Sequence, residues 1–355
     1  MGFFGRKRAP SVPHPRKEPR FDGPLTLERL EQIFQDCVDF TKRPVSLGEG
    51  GACTLTLCYL SGMVKMERVS DYVLRPLAQD EALARCGTPR QAMDRMKDGA
   101  LYNLSAEERT RLDAAVFDLV NGCCLLLFPG ESSVLSLNVG TEEKRSISSP
   151  SNETVLKGSR DAFVESLRTN TSIVRRHLKA PELRIREQVV GRQSVTSVDI
   201  LYIEGLTNPH LVEQVAAQLA DIDIDAVLAT GNIEEYIVPA ARTAFPLVQY
   251  TERSDRFCAG LAEGRVGILI DGLPLGYLAP GVLGDFLQAP QDKSESWLLA
   301  SALTLLRYLC MLGTLLLPAL YVAMVTFHQE MIPTRLALSI IAAKQDVPFR
   351  SVFEV

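Results

Sequence analysis

The chain has 355 residues, of which 23% are charged and 46% apolar, a composition that is ordinary for a folded globular protein. A formal net charge of -5, without a basic face that carries interleaved aromatic residues, argues against a nucleic-acid-binding protein. The mean hydropathy of +0.06 is high for a fully soluble chain, so we expect the apolar residues to be concentrated in one segment.

Residues 1–22 are predicted to form a disordered basic tail. They are rich in arginine, lysine and proline and lack the apolar residues that a core requires. This composition favours a solvated arm over a specific phospholipid contact. The tail contains no apolar stretch long enough for a secretory signal, and the eight cysteines of the chain include no C-x-x-C pair. We therefore expect reduced thiols in a cytosol-facing domain.

Residues 23–139 are predicted to form a first α/β lobe. An apolar stripe predicts a helix over residues 26–38, and alternating apolar residues predict a strand over CTLTLCYL (53–60), which stops before Gly62. A second helix is expected around residues 66–77.

The rest of this lobe is expected to hold a longer helix and two strands. Ser105 and Glu108 have the spacing of a capping box, so we expect a helix over residues 105–121 that ends before Gly122. The segments CCLLLF and SVLSL then predict two strands on either side of a Pro-Gly turn at 129–130.

The polar stretch 140–158 is predicted to be a linker, and residues 159–288 a second α/β lobe. Apolar residues recur at helical spacing over 159–179. The basic residues of this helix lie mostly off its apolar stripe, so a solvated basic face is favoured over an anion site; they are Arg160, Arg168, Arg175, Arg176 and Lys179. The segment GRVGILIDGLPLGYLA (264–279) predicts two strands about an Asp-Gly hairpin turn.

The second lobe repeats a pattern of the first, because residues 197–219 resemble residues 54–77. In both copies an alternating strand ends at a glycine, whose backbone can take the angles of a sharp exit, and a helix follows. In the second copy Asn208 and Pro209 suit the N-cap and the first helical position. We infer two related α/β lobes that arose by duplication.

Residues 289–355 are predicted to form a membrane region. The twenty residues from Tyr308 to Phe327 carry no charge and are apolar all round. At about 1.5 Å per residue they match a hydrocarbon layer of roughly 30 Å. We therefore expect a transmembrane helix at about 308–327 rather than a buried core helix. Residues 292–307 are expected to lie along the membrane surface before the chain turns in.

The charged residues and prolines around this helix are candidates for a pore or a gate: Arg307, Pro318, His328, Glu330 and Pro333. Pro318 removes one helical hydrogen bond and frees a carbonyl group, which favours a helix packed in an assembly. His328 and Glu330 follow directly after the apolar run. They either mark the water interface or form a polar ring at a pore mouth, and the residues themselves favour neither alternative.

Three stretches, in order over roughly residues 155–350, resemble the A subunit of spore germination receptors, the GerA family. They begin at SRDAFVESL, FPLVQYTERSDRF and LLRYLCMLG, and the blocks LPALYVA and FHQEMIPT are the most specific. The resemblance implies a membrane protein of endospore-forming bacteria, in the spore inner membrane, with its lobes facing the cytoplasm (the spore core). It also implies two partners, a permease-like B subunit and a lipoprotein C subunit, and a homo-oligomer surrounded by membrane lipid.

The resemblance further implies a nutrient germinant receptor that releases ions and then dipicolinic acid, with the A subunit forming an oligomeric ion channel. It also implies more membrane helices after the last residues PFRSVFEV, so we expect a membrane part that is truncated relative to the family. One alternative is an accessory or scaffold protein of the dipicolinate channel, as in SpoVAF-type members of the same family. Another is a truncated product without function.

An enzyme is not expected. The sequence contains no phosphate loop, nucleophile elbow, dinucleotide fingerprint or metal-ligand pattern. We therefore predict no catalytic residue, no metal site and no cofactor. We assign neither a germinant nor germinant-binding residues from the sequence.

Overall fold

The computed structural model describes residues 21–47, 54–84, 86, 88–101, 106–140, 161–226, 247–287 and 296–327. The described residues divide into two units. The first contains two antiparallel sheets with their helices and ends at Gly281, and the second begins at Val282 and contains a long apolar helix. The predicted fold class, two α/β lobes followed by a candidate membrane span, is confirmed.

The first lobe is built on one antiparallel sheet. Its strands are β1 (Phe40–Ser46), β2 (Thr54–Leu60), β3 (Ala106–Arg109), β4 (Cys123–Leu127) and β5 (Val134–Asn138), in the order β1-β2-β4-β5-β3. Its helices are α1 (Leu27–Ile33), α2 (Met66–Arg68), α3 (Arg75–Gln79), α4 (Glu81–Ala84), α5 (Pro89–Arg95) and α6 (Leu112–Val120). A π-helical segment, Val69–Leu74, joins α2 to α3, and a second, Met96–Ala100, follows α5.

Helices cover both faces of this sheet, and β2 shows why. Its alternate residues Leu55, Leu57 and Tyr59 pack into a core with α3 and α5, whereas Cys58 and Leu60 pack into a second core with α1 and α6. Side chains of a strand point to opposite faces in turn, so a strand buried on both sides is apolar almost throughout. The second half of β2, Leu57–Leu60, is buried and free of polar residues for this reason, whereas its first half alternates with Thr54 and Thr56.

The second lobe is built on a second antiparallel sheet. Its strands are β6 (Leu183–Val190), β7 (Thr196–Ile203), β8 (Gln249–Thr251), β9 (Val266–Ile270) and β10 (Gly276–Ala279), in the order β6-β7-β9-β10-β8. Its helices are α7 (Leu167–His177), α8 (Pro209–Ala220) and α9 (Ser254–Ala262).

The two lobes share one topology. Counted from its own first strand, each sheet has the order 1-2-4-5-3. In each lobe a helix precedes the first strand, a helix follows the second strand, and a helix precedes the fourth. The strand exits also match, because Gly62 has φ 84° and Gly205 has φ 79°, angles that are costly for other residues. Asn208 accepts a hydrogen bond from the His210 N–H at 3.0 Å and caps α8, as predicted.

The predicted helix over residues 105–121 is wrong in its first half. Residues Ala106–Arg109 form β3, which pairs with β5 from Ala106 opposite Leu137 to Arg109 opposite Val134. The helix α6 begins only at Leu112. Pairing with a distant strand overrides the capping-box spacing, because that spacing reports only a local preference. Ser105 lies outside the described residues.

Two other predicted helices are shorter in the structure. The first ends at Ile33, since Asp36 takes a φ of 59° and the Val38 N–H donates to Ile185 O at 3.0 Å. The helix expected over 159–179 begins at Leu167. Strands β1, β6 and β8 were not predicted. The turn between β9 and β10 is longer than the two-residue hairpin expected, because Leu269 pairs with Gly276.

The second unit contains α10 (Leu283–Leu287) and α11 (Trp297–Thr326). The 30 residues of α11 span about 45 Å at 1.5 Å per residue. The expected break near residue 308 is therefore wrong: residues 297–307 continue the same helix instead of lying before a turn. A single charge such as that of Arg307 does not interrupt backbone hydrogen bonding, so it does not mark the start of the helix.

Candidate functional site

The apolar helix α11 carries two of the predicted pore or gating residues. Its segment Trp297–Met324 has a mean hydropathy of 1.7, and none of its most apolar window is buried in the described protein. Arg307 donates a hydrogen bond from Nη1 to the carbonyl oxygen of Leu287, the last residue of α10, at 3.1 Å. Pro318 lies inside the helix. The other candidates, His328, Glu330 and Pro333, lie outside the described residues.

The polar residues of α11 are confined to one side. At 100° per residue, the polar side chains fall within one half of the helix surface; they are Ser301, Thr304, Arg307, Tyr308, Cys310, Thr314, Tyr321 and Thr326. Pro318 falls on the same half. The opposite half carries apolar residues, among them Leu305, Leu309, Leu312, Leu316 and Leu320, all more than a third exposed. The wholly apolar half suits lipid, and the other half, which mixes polar residues with apolar ones such as Met311 and Leu315, can also face protein or water.

A second candidate site is the interface between the two lobes, which is centred on a buried ion pair. The Nε of Arg175 on α7 donates to Asp39 Oδ2 at 2.8 Å, and its Nη2 donates to Oδ1 at 3.1 Å. Their side chains are only 1% and 4% exposed. Burial disfavours the charged guanidinium, but the charge of Asp39 outweighs that cost and raises the pKa of Arg175. The expectation that Arg175 belongs to a solvated basic face is wrong.

Backbone and side-chain contacts extend this interface. Residues 36–38 lie against β6, where Cys37 forms a parallel bridge with Ile185. The Arg184 guanidinium donates to the Ile33 carbonyl, and Arg186 pairs with Asp36 at 3.0 Å. Strand β6 therefore carries two arginines that reach the first lobe.

Helix α7 also contacts the first lobe through small residues. A Cβ atom added at Gly62 would lie 2.2 Å from Ser172 Oγ, far closer than two non-bonded atoms can approach. The exit of β2 thus packs directly on α7. No local pattern predicts these contacts, since Asp39 and Arg175 are 136 residues apart along the chain.

The described residues contain no group of three or more histidine, cysteine, aspartate or glutamate side chains that could hold a metal ion. Burial raises the pKa of Cys58 and of Cys258 to about 12, so both remain thiols near neutral pH and are poor nucleophiles.

The chain is similar to proteins of spore germination. The family model of the Bacillus/Clostridium GerA spore germination protein matches residues 28–355. Spore germination protein KA of Bacillus subtilis (strain 168) is 34% identical over 316 residues, 89% of this chain and 57% of that protein. GerLA of Bacillus cereus is 33% identical over 89% of this chain and 63% of its own length. The membrane protein YfkQ of Bacillus subtilis (strain 168) is 34% identical over 92% of this chain and 63% of its own length.

The two-sheet unit is similar to a solved structure. The N-terminal domain of the A subunit of the Bacillus megaterium spore germinant receptor GerK3 superposes with a TM-score of 0.59 and 26% identity, over 74% of this chain and 99% of that one. The chain spans about three fifths of the length of the curated relatives it matches. With the family model matching from residue 28 to residue 355, the chain belongs to the GerA family of spore germination proteins.

Proposed function

We propose that the chain is the A subunit of a nutrient germinant receptor of endospores, where it converts nutrient sensing into ion release. The order of its parts carries the proposal. A two-sheet unit similar to the N-terminal domain of a germinant-receptor A subunit is followed by a candidate membrane span. In this proposal residues 23–139 and 159–288 are the two lobes, and residues 289–355 belong to the membrane region.

The membrane helix supports a role in an assembly. A helix alone in lipid gains nothing from polar side chains, whereas a helix in an oligomer can turn the half that carries them towards its neighbours or towards water. The proposed partners are further copies of this chain, a permease-like B subunit and a lipoprotein C subunit. The proposed location is the spore inner membrane, with the two lobes facing the spore core.

Gene deletion in the endospore-forming host tests the proposal. Spores that lack the chain are expected to lose potassium and dipicolinic acid release in response to one class of nutrients and to respond normally to others, with complementation restoring the response. Unchanged release with every nutrient contradicts the receptor assignment. Slower dipicolinic acid release with all nutrients favours the accessory role at the dipicolinate channel instead.

A second test addresses the ion path. The substitution Glu330→Gln is expected to slow ion release at unchanged protein amount and membrane location, because charge at a pore mouth selects ions. The matched control is Glu263→Gln, which removes an exposed carboxylate from the second lobe. Equal release rates in the two variants contradict a polar ring at Glu330.

A further inference from the structure

Strand β7 carries a buried carboxylate for which the proposed function has no use. Asp199 is fully buried, and neither of its carboxylate oxygens has a hydrogen-bond partner among the described residues. Such a group is unusual, because taking a carboxylate out of water without compensating hydrogen bonds costs several kcal/mol or more.

The side chain lies on the sheet face that α7 covers. Asp199 and Leu201 are two residues apart on β7 and therefore point to the same face, where Leu201 packs in the core formed with α7 and α9. The Arg168 guanidinium of α7 comes within 3.6 Å of Asp199 Oδ2, but it donates its closer hydrogen bond, 2.7 Å, to Glu187. That glutamate lies directly opposite Asp199 on β6. One half-exposed arginine thus serves two adjacent carboxylates.

Further carboxylates approach from the other elements around α7. Asp271, which follows β9, accepts a hydrogen bond from the Leu167 N–H, the first residue of α7, at 3.1 Å. Asp39 approaches from the first lobe and is paired with Arg175. Strand β9 places Leu269 opposite Asp199, and α9 contributes apolar residues such as Phe257 to this face. Four carboxylates therefore lie around α7: Arg168 serves Glu187 and Asp199, Arg175 serves Asp39, and a backbone N–H serves Asp271.

We propose that Asp199 is a proton-sensitive latch for α7: the neutral acid allows the helix to stay docked between the lobes, and the ionised carboxylate weakens that docking. Asp199 binds the proton, and its protonation state changes the strength of the contact between the lobes. Helix α7 carries both Arg175 and Ser172, which meet Asp39 and Gly62 of the first lobe. Loosening α7 therefore loosens the lobe interface as well.

The electrostatics set the pH range. Burial, followed by repulsion from Glu187, Asp39 and Asp271, raises the pKa of Asp199 from 3.8 to about 7, and the attraction of Arg168 opposes this shift. The docked state therefore binds the proton more tightly than an open state in which water reaches Asp199. Its stabilising effect is complete below about pH 4 and is lost as the pH rises through about 7, by at most about tenfold in the opening equilibrium per pH unit.

Hydrogen exchange of the full chain in lipid nanodiscs tests the latch. Exchange of the α7 amides is measured by mass spectrometry from pH 5 to pH 8.5 and corrected for the intrinsic pH dependence of amide exchange. The opening equilibrium of α7 is expected to rise with pH, by up to about tenfold per unit, and to level off above about pH 7. In Asp199→Asn this rise is expected to disappear.

The control is Asp223→Asn, which removes a carboxylate that is 70% exposed and should leave the rise intact. A wild-type profile without the rise, or a rise that persists in Asp199→Asn, overturns the proposal. Should Asp199→Asn fail to fold, Glu187→Gln provides the second variant. It removes the like charge opposite Asp199 and frees Arg168 for it, so the midpoint should move to lower pH, and an unmoved midpoint also overturns the latch.

Discussion

At the scale of single residues, ion pairs of the same chemistry differ because of where they lie. Arg175 and Asp39 form a bidentate pair that is almost fully buried. Arg192 and Asp223 form a contact of similar length, 2.7 Å, with both side chains 70% exposed. Water screens the second pair and leaves little net energy, whereas each partner of the first pair depends on the other for compensation of its charge.

Replacement of Arg175 by alanine is expected to lower the free energy of unfolding by about 3–5 kcal/mol, because it leaves the Asp39 carboxylate buried without its counter-charge. Urea unfolding followed by circular dichroism measures the change. The control Arg192→Ala should cost less than about 1 kcal/mol. Equal losses in the two variants would show that the buried pair is not a structural centre of the interface.

At the scale of elements, the repeated strand–glycine–helix unit makes different contacts in the two lobes. Gly62 and Gly205 occupy equivalent positions with nearly the same positive φ. A Cβ atom at Gly205 would meet nothing within 4 Å, but at Gly62 it would collide with Ser172 of α7. The first copy therefore serves the lobe interface as well as the turn, and the second copy serves the turn alone.

The two glycines provide a matched experiment. The substitution Gly205→Ala is expected to lower the free energy of unfolding by about 1–2 kcal/mol, the usual cost of a left-handed backbone for an L-residue. Gly62→Ala should cost distinctly more, because the collision adds to the same backbone cost. Adding Ser172→Ala should recover part of the loss in the Gly62 variant and none in the Gly205 variant. Equal costs measured by urea unfolding for the two glycines would contradict the close packing.

At the scale of the whole molecule, the two lobes form one compact unit rather than two independent domains joined by a linker. The buried pair, the backbone bridge at Cys37 and the contact of Gly62 with α7 all cross from one sheet domain to the other. Lobes that share this much buried polar surface should lose their structure together. Motion in one lobe should accordingly reach the other through α7 and β6.

A chain of residues 22–281 is expected to be soluble without detergent and to unfold in one cooperative transition, since it retains both cores and omits α11. Calorimetry and circular dichroism provide the test: the calorimetric and van't Hoff enthalpies should agree, and both probes should give one midpoint. Two separate transitions would mean that the lobe interface is weaker than its contacts suggest. Recovery only as aggregates would contradict the independence of this unit from α11.

Features decided within a short window were determined by the sequence. Three such features are the alternation in the first half of β2, the Asn208-Pro209 start of α8 and the uncharged run that forms the C-terminal part of α11. Each depends on neighbours a few residues away. Local backbone preference and side-chain polarity are enough to fix such features. The repeat of the strand–glycine–helix unit was visible for the same reason, and the identical strand order of the two sheets bears it out.

Features that depend on distant partners were decided only by the tertiary structure. Residues 106–109 became a strand because β5 was there to pair with them, although their local spacing is that of a helix start. Arg175 was predicted to lie on a solvated face because its partner Asp39 is 136 residues away. In the sequence, Asp199 resembles an ordinary polar residue of a half-exposed strand. Only the folded structure buries it, opposite Glu187 and within 3.6 Å of the Arg168 guanidinium. The energy of a charge depends on its burial and on its neighbours in space, and the order of residues along a chain specifies neither of these until the chain has folded.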